Sequence, residues 1–259
     1  MPDLIIEHLD SRIAVVTVNR PQRRNAINLS LWRELRSTFE TFANEPDVRG
    51  VILTGADGHF SSGADISEFS KLRADSEMGQ AYETDVEACY EAIFSLPKPT
   101  VAAVDGYAVG GGCALAMTCD FRVASRRAAF GIPAARLGIV YSPRECRMLQ
   151  TLVGNANAKR ILFSGDTVPA QRALEIGLVD ELTEADPVAA AADLLKGMAA
   201  KAPIAIAGMK LTLNAIAHDR LKDQEANIHE LTARAFDSED YREGARAFLE
   251  KREPSFVGR

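Results

Sequence analysis

A short apolar, β-rich run followed by a glycine-containing turn and then helix-forming sequence occurs twice in this chain, and this pattern constrains its fold most. Residues 48–54 form the first run, closed by Gly55, and residues 100–104 form the second. Between them residues 77–96 read as a helix stopped at Pro97 and Pro99. Strands alternating with helices favour parallel pairing and an α/β fold. Upstream, residues 4–9 and 12–19 are β-rich runs separated by Asp10-Ser11, the pattern of a hairpin. Ser30 is the expected N-cap of an amphipathic helix with Leu31, Leu35, Phe39 and Phe42 on one face. The two strand–strand–helix passes suggest an internal repeat.

Beyond about residue 185 the composition changes. Ala189 to Ala192 open a helical stretch that continues to Lys251, with breaks near Pro203 and at His218-Asp219. The expected organisation is an α/β core over residues 1–190 and a helical C-terminal region over 191–259, which packs on its own core or on a neighbouring subunit.

At 259 residues, 47% of them apolar and 25% charged, the chain has the mix of an ordinary globular protein. Its formal charge of −6 argues against a nucleic-acid partner, which requires a basic face. No run approaches the roughly 20 apolar residues of a bilayer span. Met1-Pro2-Asp3 lacks the basic start of a signal peptide, so no membrane association and a cytoplasmic location are expected. Cys89, Cys113, Cys119 and Cys146 form no CxxC pair, and no histidine stands at ligand spacing from them. Buried free thiols are expected, with neither metal nor disulfide.

Two glycine-containing segments carry the candidate chemistry. Phe60-Ser61-Ser62-Gly63-Ala64-Asp65-Ile66 follows the first buried run, and Gly106-Tyr107-Ala108-Val109-Gly110-Gly111-Gly112 follows the second. Each puts free backbone N–H groups at a strand-to-helix junction, where an anion is favoured. Glycines that merely permit tight turns would look the same. The triple glycine lacks the Gly-Lys-Ser/Thr ending of a P-loop and the spacing of a dinucleotide fold.

Taken together, the two segments resemble those of the crotonase (enoyl-CoA hydratase/isomerase) superfamily. Further matching pieces are Asn19-Arg20-Pro21 with Asn25-Ala26, Pro97-Lys98-Pro99, Cys119-Asp120, Phe130-Gly131, Leu137-Gly138, and Ala170-Gln171 with Gly177-Leu178-Val179. The resemblance covers nearly the whole chain. It implies a spiral of ββα units, a homotrimer or dimer of trimers built by the C-terminal helices, and an acyl-CoA substrate. Coenzyme A would then be part of the substrate, with no separate cofactor. It also implies an oxyanion hole made by the amides of Ala64 and Gly111, beside Gly110. Ser62, Gly63, Asp65 and Ile66 would line the CoA pocket, with Ala26 near the adenine and Arg24 near a phosphate. Two preorganised donors at the thioester oxygen stabilise a developing enolate, each worth on the order of 3 kcal/mol. Asp65, directly after Ala64, is expected to fix that turn, and His59 to have no catalytic role.

The chain departs from the pattern where the resemblance implies two glutamates, because Ala114 and Ala134 stand there. Acid–base groups of this kind contribute 10²–10⁴-fold, so hydration is expected to be crippled. Where related isomerases and hydrolases place an aspartate, this chain has Ser142. Decarboxylation of a malonyl-type thioester reaches the same enolate without a general base, and carboxylates beside the departing group would oppose it. The C-terminal residues 237–241, 248–252 and 256–258 are similar to methylmalonyl-CoA decarboxylases, which also carry a tyrosine at the position of Tyr141. Decarboxylation is therefore the expected reaction, with Tyr141 handling the carboxylate or a proton, or else simply packed with its hydroxyl satisfied. Arg144 and Glu145 read as a solvated pair, or Arg144 as a binder of a substrate carboxylate. A hydratase or isomerase drawing its acid–base group from Tyr141 or Glu145, and a non-catalytic acyl-CoA binder, are the alternatives.

Overall fold

The computed structural model describes residues 1–9, 12–72 and 74–259. In chain order the elements are β1 (Leu4–Leu9), β2 (Ile13–Val18), α1 (Leu29–Asn44), β3 (Gly50–Gly55), α2 (Phe69–Leu72), α3 (Ser76–Phe94), β4 (Thr100–Val104), β5 (Tyr107–Val109) and α4 (Gly111–Thr118). They continue as β6 (Phe121–Ser125), β7 (Ala129–Gly131), α5 (Pro143–Ser164), β8 (Thr167–Pro169), α6 (Ala170–Glu175) and β9 (Glu181–Thr183). Four helices close the chain: α7 (Pro187–Ala199), α8 (Pro203–Ala217), α9 (Leu221–Asp237) and α10 (Glu239–Glu250). The mixed α/β class expected from the sequence is the class observed.

Six strands form one sheet in the order β1-β2-β3-β4-β6-β9, and β5-β7-β8 form a second. In the larger sheet only β1 and β2 pair antiparallel, from Leu4 opposite Val18 to Leu9 opposite Ile13. Asp10-Ser11, the expected turn between them, lies outside the described residues. The repeat is a strand in the large sheet, a strand in the small sheet, then a helix: β4–β5–α4, then β6–β7–α5. An isolated parallel bridge between Ser61 and Ala108 gives β3 the same second step before α3.

Burial on both faces explains why the strands read as nearly continuous apolar runs. Ala14, Val16 and Val18 of β2 face the main core with Leu35 and Phe39 of α1, while Ile13 and Val15 face the opposite side. That opposite side is covered by α7, whose Ala191 and Leu195 pack with Ile52, Val101, Ala103 and Val123. The helix straddling residue 190 is thus part of the sheet's packing. A Cβ at Gly50 would stand 3.3 Å from the Leu195 methyls, so strand and helix approach closely there.

Helix starts follow side-chain caps. Asn28, not Ser30, caps α1, its side chain accepting from the Leu31 amide at 2.8 Å. Two residues later, Ser30 is already helical. Asp75 caps α3 in the same way. In the C-terminal region Lys210 of α8 pairs with Asp120 at 2.8 Å and donates to the Lys98 carbonyl at 3.0 Å. Met209, Leu213, Phe236, Phe248 and Leu249 are exposed on this region. Among the described residues no helix is long and apolar enough to cross a membrane.

Truncating Leu195 tests whether α7 belongs to the core. Leu195→Ala is expected to lower the urea-unfolding free energy of the whole chain by about 2–5 kcal/mol. The neighbouring surface change Lys196→Ala should stay within about 0.5 kcal/mol.

Candidate active site

The loop after β3 and the loop after β5 are held together by backbone pairing and two buried polar side chains. Asn25 adopts a φ of 56°, and its Nδ2 donates to the Ala56 and His59 carbonyls at 2.8 and 2.6 Å. The Ser61 hydroxyl donates to the Asn25 carbonyl at 2.7 Å and accepts from the Gly63 amide at 3.1 Å. Ser61 N–H donates to Tyr107 and its carbonyl accepts from Val109, both at 2.9 Å.

This pairing leaves two donors uncommitted. In the bridge between Ile27 and Ala64, the Gly63 carbonyl and Asp65 amide make the bonds, so the Ala64 N–H takes no part. Gly111 is the first residue of α4, where an N–H has no acceptor within the helix. A Cβ built on Gly111 would lie 3.5 Å from the Ala64 nitrogen, which makes the two amides neighbours. The glycines around them are sterically required. A Cβ on Gly112 would fall 2.4 Å from the Ser61 carbonyl oxygen, and one on Gly63 would fall 2.6 Å from that of Val109.

Ala64 and Gly111 open onto a cavity of about 210 Å³. Trp32, Tyr82, Val86 and Tyr90 form an aromatic-rich wall from α1 and α3. That wall is internally satisfied: Trp32 Nε1 donates to the Tyr82 hydroxyl at 3.0 Å, and the Tyr90 hydroxyl donates to the Gly111 carbonyl at 3.3 Å. Ser62, Ile66, Gly110, Ala134 and Tyr141 also line the cavity. Gly63 and Asp65 lie outside its lining. Asp65 Oδ1 accepts from the Ser67 amide and hydroxyl at 3.2 and 2.7 Å, and its carboxylate pairs with Arg20 at 3.1 Å. The Ser67 hydrogen bond, helped by Arg20, holds that carboxyl below its ordinary range. Arg24 and Ala26 do not line the cavity either; the Arg24 carbonyl accepts from the Ser62 amide at 3.0 Å. His59 stacks on Tyr107 with ring centroids 5.3 Å apart.

The start of α5 supplies a group that the sequence reading undervalued. Ser142 and Glu145 form a capping box: the Glu145 amide donates to Ser142 Oγ at 3.2 Å, and the Ser142 amide donates to Glu145 Oε2 at 3.1 Å. The box turns the Glu145 carboxyl inward, where it lines the cavity at 8% exposure. Burial pushes that carboxyl up to about 7; the Ser142 bonds oppose the rise, and Glu83 and Glu87 add to it. The two neighbours are not a solvated pair. Arg144 pairs with Glu91 of α3, and its guanidinium sits 5.4 Å from the centroid of the Phe94 ring, outside the cavity lining. The Tyr141 hydroxyl is not satisfied by packing; it is buried with no partner among the described residues. Ala114 is fully buried in α4 and does not line the cavity, whereas Ala134 does.

The sequence profile of the enoyl-CoA hydratase/isomerase family matches residues 8–259. The chain belongs to this family, the crotonase superfamily. It is 34% identical to a short-chain-enoyl-CoA hydratase of Clostridium acetobutylicum over 250 residues, covering 96% of this chain and 95% of that one. It is 33% identical to the 2,3-dehydroadipyl-CoA hydratase of Escherichia coli over 260 residues, covering 100% of both. Among solved structures, an enoyl-CoA hydratase/carnithine racemase from Magnetospirillum magneticum superposes with a TM-score of 0.90 at 36% identity, over 100% of this chain and 97% of that one.

As a crotonase the chain lacks side-chain acids at 114 and 134, but its cavity is not free of carboxylates. Glu145 from α5 and Glu83 from α3 both line it. The electrostatic case for decarboxylation, built on two alanines, therefore loses its premise, and the relatives above are named for hydration. Glu145 carried one visible signal, the Ser-x-x-Glu spacing of a capping box.

Two outcomes follow from this geometry. Proline is tolerated at the first position of a helix, so Gly111→Pro deletes the amide donor expected at the thioester oxygen while still allowing α4 to start there. Its kcat on an acyl-CoA substrate should fall about 10²–10³-fold, measured with circular dichroism as a fold control. Glu145 titrates near 7 when folded, against 4.5 for an ordinary glutamate, and so binds its proton more tightly in the native state. Its contribution to stability is then fully present below pH 4.5 and is lost as pH rises through 7. Urea melts at matched pH should show Glu145→Gln gaining up to about 3 kcal/mol on the native chain between acid and alkaline conditions.

Proposed function

We propose that this chain is an enoyl-CoA hydratase or isomerase that moves protons beside a thioester carbonyl, with Glu145 as its acid–base group. The observation that carries the reading is the shared cavity: Glu145, Ala64 and Gly111 line the same space. Charge developing on the thioester oxygen meets two fixed donors in an apolar, water-poor site, where they act most strongly. A carboxyl titrating near 7 is matched to both taking and giving a proton at neutral pH. A malonyl-type substrate would bring its own negative charge into a cavity that already holds two acidic side chains, which disfavours decarboxylation.

In this reading coenzyme A enters as part of the substrate, and Ser62 and Ile66 at the cavity lining meet the acyl-CoA. We extend the proposal to a trimeric or hexameric assembly in the cytoplasm, with the exposed apolar side chains of α8 to α10 as the contact surface.

Parallel assays with crotonyl-CoA, a 3-enoyl-CoA and methylmalonyl-CoA test the reaction. Turnover of an enoyl-CoA without CO₂ release from methylmalonyl-CoA is expected, and Glu145→Gln should lower that turnover about 10²–10⁴-fold. Proton removal from the 3-enoyl-CoA requires the charged carboxylate, so the native isomerisation rate should rise through pH 7 and flatten above it. Release of CO₂ with no enoyl turnover, or a fully active Glu145→Gln enzyme, would overturn the assignment.

A further inference from the structure

The cavity carries acids on two different walls. Glu145, almost wholly buried, comes from α5, and Glu83, half-buried, comes from α3. Glu83 stands close enough for its charge to disfavour ionisation of Glu145. Glu87 has the same electrostatic effect but does not line the cavity. The Tyr141 hydroxyl, buried in the same lining, has no protein partner among the described residues.

We propose that Glu83 is a second acid–base residue of this site, so that Glu83 and Glu145 together add water across the double bond of an enoyl thioester. The proposal rests on the reading of Glu145 given above. It places the two carboxylates on α3 and α5, in elements other than those carrying Ala114 and Ala134. One carboxyl can take a proton from carbon and return it, as isomerisation needs. Hydration needs two proton transfers, one from water and one to carbon, and two groups in opposite protonation states can perform both.

Unequal burial decides which group does which. Glu145, the more buried, binds its proton more tightly than an ordinary glutamate and is assigned the acid, and Glu83, the more exposed, is assigned the base. Glu83 takes a proton from water as the water oxygen bonds to the β-carbon. The electron pair of the carbon–carbon double bond moves to form the enolate, whose oxygen lies on the Ala64 and Gly111 amides. Glu145 then gives its proton to the α-carbon as the carbonyl re-forms. One water has been added, Glu83 holds a proton and Glu145 has lost one, and exchange with solvent resets the pair.

The test compares two reactions of the full-length enzyme. One is hydration of crotonyl-CoA; the other is exchange of the α-protons of butyryl-CoA in D₂O, followed by NMR, which needs one base and the oxyanion hole. In Glu83→Gln, hydration should fall at least about 100-fold while exchange falls far less, and Glu83→Asp should recover part of the hydration. Glu145→Gln should lose both reactions. Hydration near the native rate in Glu83→Gln, an equal loss of both reactions in that variant, or a native enzyme that exchanges but does not hydrate would each overturn the role of Glu83. A native enzyme that does neither would instead defeat the reading of Glu145, and the present inference with it.

Discussion

Asn25, wholly buried at a φ of 56°, ties the loop after β3 to the segment before α1, while Ser61 ties that loop to β5. Ser61 is also wholly buried, and its hydroxyl and backbone engage Asn25, Gly63, Tyr107 and Val109 together. Loss of either residue would leave several buried donors or acceptors unpaired, each costing about 1–3 kcal/mol. The closeness of the Ala64 and Gly111 amides is a by-product of this clamp. Once Ser61 is paired with β5 and Ile27 with the Ala64 region, the Ala64 and Gly111 amides become adjacent, with no other partner among the described residues. Donors fixed in this way need not reorganise if charge develops beside them, which suits the oxyanion role proposed for them.

The clamp that holds the two amides does not depend on the side chains at 114 and 134. Ala114 is enclosed in α4 and Ala134 lies on the cavity lining, yet neither contributes to holding the two amides. A carboxyl can therefore be supplied from another wall without disturbing them. The wall used here is the start of α5, where the Ser142–Glu145 capping box serves two ends. It satisfies amides that the helix leaves open, and it holds a carboxyl in an apolar surrounding that raises its affinity for a proton.

Much of the scaffold was legible because it obeys local rules. The strands of the large sheet are buried on both faces, so 48–54 and 100–104 stand out as apolar runs, and the glycines at 63 and 110–112 mark the turns. The cap of α1 was misplaced by two residues because Asn28 and Ser30 are both good caps, and only the Asn28–Leu31 bond decides between them. Membership of α7 in the core was not legible, since an alanine-rich helix reads alike whether it covers a sheet or stands apart. Arg144 and Glu145 looked like a surface pair because they are adjacent and opposite in charge. In a helix, however, successive residues diverge by about 100°, and here one reaches Glu91 while the other enters the cavity.

Glu83 shows where sequence reasoning stops for a site of this kind. On α3 it shares a face with Val86 and Tyr90, at spacings of three and seven, and all three line the cavity. In a sequence, an acidic residue at such a position is read as the solvated edge of a buried stripe, because most are. What makes it different is non-local. The start of α5, some 60 residues downstream in the chain, brings a second acidic residue, Glu145, onto the same cavity. Neither helix alone brings two acidic residues to the cavity. Burial on this cavity, with Glu83 beside it, raises the affinity of Glu145 for its proton above that of an ordinary glutamate, an effect that only the folded chain creates.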